Sequence, residues 1–155
     1  MDLRFIDEKR KRIEFLFEAA PKAVGDSFEL RSHWARYVCV VVSGYIESSI
    51  RQLLTGYCAD RSSPAVARYA ASKIRWFQNA EMDRIVDLFC QFDPAWEQEI
   101  LHGIDDEHKA AVNSIIGNRH SVAHGDTSSI TISSLRTWYG KANEVIDLLV
   151  GLCAR

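Results

Sequence analysis

The chain has 155 residues, of which 47% are hydrophobic and 26% charged, and its formal net charge is −2. This length fits one globular domain, and the charge excludes the overall basic field that is typical of a non-specific nucleic-acid binder. The four cysteines contain no CxxC pair, and we expect small buried thiols in a reducing cytoplasm.

The first half of the chain predicts two helices. Apolar residues at helical spacing predict the first over 3–19, and Pro21 and Gly25 are expected to end it. The second is predicted over 28–57, and around Val38 to Val42 it is apolar on almost every side, which is typical of the central member of a bundle. Gly44 within it is expected to permit close packing.

Shorter helical patterns follow in the second half. Asn79 is a candidate cap for one of them, Asp105 or Asp106 for another, and Gly125 is a natural residue to end that second one. A short extended segment is an alternative over 128–134, where isoleucines alternate with serine and threonine. The expected helices cover 64–77, 81–92, 94–101, 105–125 and 134–154. We predict an all-α, antiparallel bundle of about five to seven helices, forming one domain over 1–155.

No segment suggests contact with a membrane. The longest apolar run, Tyr37 to Val42, is too short to cross a bilayer, and the N-terminus carries no signal-peptide core. We therefore expect a cytoplasmic protein.

Arg119 interrupts an apolar helix face. It follows Val112 by seven positions and Ile115 by four, so it falls near the centre of the hydrophobic stripe. Because a guanidinium is rarely buried without a partner, Arg119 is expected to face a core carboxylate, a second subunit or a phosphate.

His124 lies near Arg119 but not on the same ideal helix face, since five positions correspond to a rotation of about 140°. It precedes Gly125, where the helix is expected to unwind, so its imidazole could turn toward the same groove. An imidazole beside a fixed guanidinium suits cleavage of a phosphodiester without a metal: histidine moves protons and arginine binds phosphate oxygens. Such a reaction uses a neighbouring 2′-hydroxyl, so the substrate would be RNA.

The segment from Arg119 through His124 to Gly125, placed before a last helix, resembles the HEPN superfamily of helical nucleases and nucleotide-binding domains. The segments Ser43 to Arg51 and Ile132 to Leu149 are similar to the HEPN group associated with RiboL-PSP proteins. The resemblance extends over roughly 31–152.

The resemblance implies an endoribonuclease that needs no metal or other cofactor, acting as a homodimer whose two motifs face each other across a cleft. It assigns catalysis to Arg119 and His124, with Asn118 and His120 as supporting groups; His120 stands where relatives often carry asparagine. Many such proteins are toxins or anti-phage effectors, some held by an antitoxin protein, and others have lost catalysis. The alternative is a non-catalytic module that binds RNA or a nucleotide, or that serves only in dimerisation.

Glu47 is a further candidate on the predicted central helix. It could pair with Arg119 or hold His124 in one tautomer. A structural ion pair between Glu47 and Arg119 and a simple helix-capping role for His124 are the competing readings. His120 and His124 also have metal-ligand spacing, but no convincing third ligand accompanies them, so no metal is expected.

Overall fold

A computed structural model describes residues 3–125 and 129–155 of the chain. These residues form helices only and no strand, which confirms the all-α prediction. The helices are α1 (Arg4–Val24), α2 (Phe28–Arg61), α3 (Pro64–Ile74), α4 (Met82–Cys90), α5 (Ala95–Gly103), α6 (Asp106–Ala123) and α7 (Ile132–Ala154).

The 34-residue α2 is the central helix, as predicted, and packs against α1, α3, α6 and α7. Trp34 Nε1 donates to the carbonyl of Leu16 over 3.1 Å near one end of α2, and Arg10 Nε donates to the Tyr45 hydroxyl over 2.8 Å further along. These two contacts run in opposite chain directions, so α1 is antiparallel to α2. Fully buried aliphatic and aromatic side chains of α2, α6 and α7 form the centre of the core, including Val38, Tyr45, Ile46, Ile50, Ile115, Leu135 and Ile146.

Two local predictions about α1 and α2 were wrong. Pro21 does not end α1 but lies inside it, whereas Gly25, with φ of 53°, follows the last helical residue as predicted. Gly44 does not serve close packing, because a Cβ built on it would meet no atom within 4 Å. The apolar stretch of α2 is covered on several sides, as predicted, although Tyr37 and Val40 remain 45% and 43% exposed.

The connections also differ from the predictions. Asn79 does not cap α4, because Glu81 occupies the N-cap position without a side-chain hydrogen bond. The extended segment considered for 128–134 is wrong for 132–134, because α7 begins at Ile132 with Thr131 as its cap. Residue 128 lies outside the described residues. No helix in the described ranges has both the length and the apolar character that crossing a membrane requires.

Candidate active site at the end of α6

Strong signals fix both ends of α6. Asp105 forms a capping box with His108 at the start, and Gly125, with φ of 76°, follows the end, as predicted. His108 also holds α6 against α7, since its ring nitrogens lie 2.7 Å from Asp105 Oδ1 and 2.7 Å from Glu144 Oε2. The position of the last turn of α6, which carries the candidate residues, is therefore set from both ends.

Arg119 extends from this last turn toward the loop between α3 and α4. Its Nη1 donates to Asn79 Oδ1 over 3.1 Å, and its Nη2 lies 4.0 Å from Glu47 Oε1. The Arg119 side chain is 28% exposed, whereas that of Glu47 is 10% exposed. The predicted pairing of Glu47 with Arg119 is present at 4.0 Å, and the Arg119 side chain is only partly buried.

Asn79 was not predicted as a site residue, but it connects Glu47 to Arg119. Its backbone N–H donates to Glu47 Oε1 over 2.7 Å while its side chain accepts from Arg119. Its φ of 56° lies in the left-handed region, which asparagine tolerates better than most residues. The sequence signal for this residue was its preference for turns, which we interpreted as a helix cap.

The chain on either side of Asn79 is tied to long helices at Phe77 and Met82. Arg51 Nη1 donates to the carbonyl of Phe77 over 2.6 Å, and the backbone N–H of Met82 donates to Asn113 Oδ1 over 2.9 Å. Because α2 and α6 fix this loop, the Asn79 amide is held in place as an orienting group for Arg119.

The two histidines of the motif lie together on the surface. The rings of His120 and His124 are 4.4 Å apart, and both residues are exposed. His124 is the C-cap residue, with φ of −90° and ψ of 0°, and its backbone N–H donates to the carbonyl of His120 over 3.1 Å. The unwinding predicted at His124 is therefore present, but the His124 ring lies against His120, and no described contact joins it to Arg119.

The motif residues do not all converge within one protomer. The described contacts of Arg119 are with Asn79 and Glu47, whereas the His124 ring lies against His120. Glu47 contacts Arg119 and the Asn79 backbone, and no described contact joins it to His124. Asn118 Nδ2 donates to the carbonyl of Ser114 over 2.8 Å, on its own helix.

Other chemistries find less support in the described ranges. No group of three histidine, cysteine, aspartate or glutamate residues there could hold a metal ion. Burial raises the pKa of the Cys39 and Cys153 thiols to about 12, so neither is a thiolate nucleophile near neutral pH. Cys90, unlike the other three cysteines, is only half-buried.

A cleft of about 870 Å³ lies away from this site, between the end of α1 and the starts of α2 and α7. Phe17, Phe28 and Ile132 contribute to its walls, and neither Arg119 nor His124 lines it. At the end of α6, His120 and His124 are exposed, whereas Arg119 is partly buried.

Comparison with known proteins agrees with the resemblance found in the sequence. The family model described as RiboL-PSP-HEPN matches residues 4–155. The chain belongs to the RiboL-PSP-HEPN family. No curated protein and no solved structure matches it. Membership in this HEPN family places the chain in a superfamily of nucleases and RNA-binding domains, and it agrees with the all-α architecture.

Proposed function

We propose that this HEPN protein is a metal-independent endoribonuclease whose active groups are Arg119 and His124. The observation that carries the proposal is the placement of Arg119: its guanidinium donates to Asn79 and lies near Glu47, while the side chain as a whole stays 28% exposed. A cation held in this way can bind a phosphate without first rearranging, which is the form of electrostatic stabilisation that favours a transition state.

The reaction would begin at the ribose 2′-hydroxyl next to the scissile phosphate. The His124 imidazole accepts the proton of this hydroxyl while the 2′-oxygen attacks phosphorus. The P–O5′ bond breaks, and an imidazolium of the site gives the proton back to the leaving 5′-oxygen. Arg119 binds the non-bridging oxygens as negative charge develops on them. The products are a 2′,3′-cyclic phosphate, or the 3′-phosphate after hydrolysis, and a free 5′-hydroxyl.

A homodimer is part of the proposal, because within one protomer Arg119 and His124 contact different partners. A surface that could take a second copy adjoins the site: Leu30, Tyr37 and Val40 are 52%, 45% and 43% exposed on α2. With Glu47 they fall within a sector of about 100° on that helix. An exposed apolar face that leads to Glu47 supports docking of a second subunit beside the Arg119 site.

We further propose that the protein is a growth-arresting effector of the toxin or anti-phage kind, restrained in the cell by an antitoxin protein. An uncontrolled ribonuclease harms its own host, so expression of the active chain should stop growth. Expression of the His124→Ala variant at the same level should not.

A non-catalytic RNA- or nucleotide-binding domain is the second candidate. The contacts of Arg119 with Asn79 and Glu47 favour it, because they would also stabilise the fold without any catalysis. This candidate predicts RNA binding that weakens in Arg119→Ala, with no turnover by the unaltered protein.

Cleavage of RNA by the purified chain in excess EDTA tests the proposal. We expect cleavage with cyclic-phosphate ends, and a loss of about 100-fold or more in Arg119→Ala and in His124→Ala. His102→Ala is the matched control, since His102 is exposed on α5 and its Nδ1 lies against the Gln98 carbonyl. Loss of cleavage on chelation, or full activity of both motif variants, contradicts the proposal.

A further inference from the structure

The surface of α3 carries aromatic and basic side chains that the candidate active site does not use. Tyr69 and Trp76 are 65% and 70% exposed, and Val66 is 56% exposed. Together with Lys73, these residues follow the i, i+3, i+4 spacing of one helix face. Trp76 lies just after α3, but the chain is still helically turned there, since the N–H of Trp76 donates to the Lys73 carbonyl. We call Val66, Tyr69, Lys73 and Trp76 the α3 platform.

The charged residues of α3 and the turns on either side of it are all basic. Residues 62–80 include Arg68, Lys73 and Arg75 and contain no aspartate or glutamate, although the whole chain has a net charge of −2. None of these three cations forms an ion pair within the described part of the chain. Lys73 Nζ lies 5.4 Å from the centre of the Tyr69 ring, and Arg75 Cζ lies 4.9 Å from that of Trp76.

The core does not account for these side chains. Ile74 is the one buried residue of α3, so most of the helix surface faces outward. Several exposed apolar side chains on one helix face form a patch that is typical of a contact surface, whereas a single exposed ring is not. Aromatic rings interleaved with unpaired cations match single-stranded nucleic acid, in which bases stack on the rings and phosphates meet the cations.

The α3 platform ends beside the Arg119 site. Trp76 precedes Asn79 by three residues, so their Cα atoms are at most about 11 Å apart, and Asn79 accepts the hydrogen bond of Arg119. The carbonyl of Phe77, next to Trp76, is held by Arg51 of α2. A strand lying along the α3 platform would therefore be delivered to the guanidinium.

We propose that the α3 platform binds single-stranded RNA and guides it to Arg119, an inference that rests on the proposed function for its choice of RNA. Tyr69 and Trp76 stack on bases, and Arg68, Lys73 and Arg75 contact the backbone. A second copy of the chain is a poorer occupant, because a two-fold contact would place these cations against their own copies.

Binding of a fluorescein-labelled, single-stranded 2′-O-methyl oligoribonucleotide by the full chain tests this proposal. The probe cannot be cleaved through its 2′-oxygen, so affinity is measured apart from catalysis. We expect Tyr69→Ala and Trp76→Ala each to weaken binding by about 5- to 100-fold, and Trp76→Phe to restore most of it. Lys73→Ala with Arg75→Ala should reduce the salt dependence of binding.

Two control variants on α1 match the α3 substitutions in side-chain exposure and in charge. Phe15 is 65% exposed on α1, as Tyr69 is on α3, so Phe15→Ala should leave affinity unchanged. Lys11→Ala on α1 serves the same purpose for the cations. An equal loss in these controls, or equal affinity for duplex RNA, overturns the proposal.

Two other occupants would also overturn it. Anionic phospholipid vesicles bound through Trp76 would identify the α3 platform as a membrane-binding surface. Loss of a dimer in Trp76→Ala, seen by light scattering, would identify it as a contact between copies.

The outcome is separable from that of the proposed function. Where cleavage occurs, Tyr69→Ala and Trp76→Ala should raise KM for a long strand without changing kcat, and should not affect a dinucleotide substrate. Binding through the α3 platform without any cleavage upholds this inference and contradicts the endoribonuclease proposal. Cleavage with a KM that Trp76→Ala leaves unchanged supports the endoribonuclease proposal and contradicts this inference.

Discussion

The guanidinium of Arg119 donates a hydrogen bond to Asn79 Oδ1 over 3.1 Å, which joins the last turn of α6 to the loop between α3 and α4. The same asparagine donates its backbone N–H to Glu47 Oε1 over 2.7 Å. One loop residue thus connects the buried acid of α2 to the partly buried cation of α6.

Asn79 should be needed both for its side chain and for its backbone. Asn79→Gly keeps the left-handed conformation but leaves Arg119 without its acceptor, and we expect a loss of about 1 kcal/mol in unfolding free energy. Asn79→Ala removes the acceptor too and puts alanine, which tolerates φ of 56° less well than glycine or asparagine, at this position, so it should cost about 1–2 kcal/mol more than Asn79→Gly. Urea unfolding of the two variants separates these effects. Equal stability of both would show that the backbone conformation is not strained in alanine.

Orientation of Arg119 by Asn79 should also appear in catalysis. Asn79→Gly should lower kcat/KM for RNA about 10-fold, equivalent to about 1.4 kcal/mol of transition-state stabilisation. Unchanged cleavage kinetics in this variant would show that Asn79 does not position the guanidinium.

Glu47 should matter more as a hydrogen-bond acceptor than as a charge. It is 7% exposed and accepts the Asn79 N–H at 2.7 Å, whereas Arg119 Nη2 lies at the longer distance of 4.0 Å. Glu47→Ala removes the acceptor and should reduce the unfolding free energy by about 1–3 kcal/mol. Glu47→Gln keeps an acceptor and should lose less. The reverse order, measured by urea unfolding, would make the ion pair with Arg119 the dominant interaction.

The His108 cluster should make stability fall in acid. Hydrogen bonds from His108 lower the pKa of two carboxyls. For Asp105 the largest cause is the bond from the His108 backbone N–H, and for Glu144 it is the bond with the His108 ring. A carboxyl whose pKa is depressed by folding stabilises the protein above its unfolded pKa of about 4. That contribution is lost as the pH falls toward the lower folded pKa.

Glu144→Gln should therefore flatten the dependence of unfolding free energy on pH below about 5. Glu97→Gln is the control, because Glu97 is exposed on α5 and has no ion pair among the described residues. Urea unfolding at several pH values measures the slope. A slope that Glu144→Gln leaves unchanged would show that the carboxyl is equally acidic in the unfolded chain.

Complementation between inactive variants tests the composite site. Arg119 and His124 contact different partners within one protomer, so we expect each active unit to use Arg119 of one copy and His124 of the other. Arg119→Ala mixed with His124→Ala then forms heterodimers with one intact site, and the mixture should recover about a quarter of normal activity. An inactive mixture of exchanging dimers would place both groups in one protomer.

Local chemistry allowed several features to be predicted from the sequence. Asp105 and Gly125 mark the ends of α6, and the all-α class follows from apolar spacing along each helix. The same spacing identified Arg119 as a charge on an apolar face, and the glycine after His124 indicated the unwound turn. These signals depend on interactions within a few residues, so they can be read before the fold is known.

Only the tertiary structure decided what Arg119 touches. Asn79 is distant in sequence and carries an ordinary turn signal, so nothing local distinguishes a helix cap from an acceptor for an arginine of another helix. The exposure of Tyr69 and Trp76 was equally undetermined, because α3 has an apolar pattern whose outward face depends on how it packs against α2. Long-range packing sets both results, and periodicity alone does not contain it.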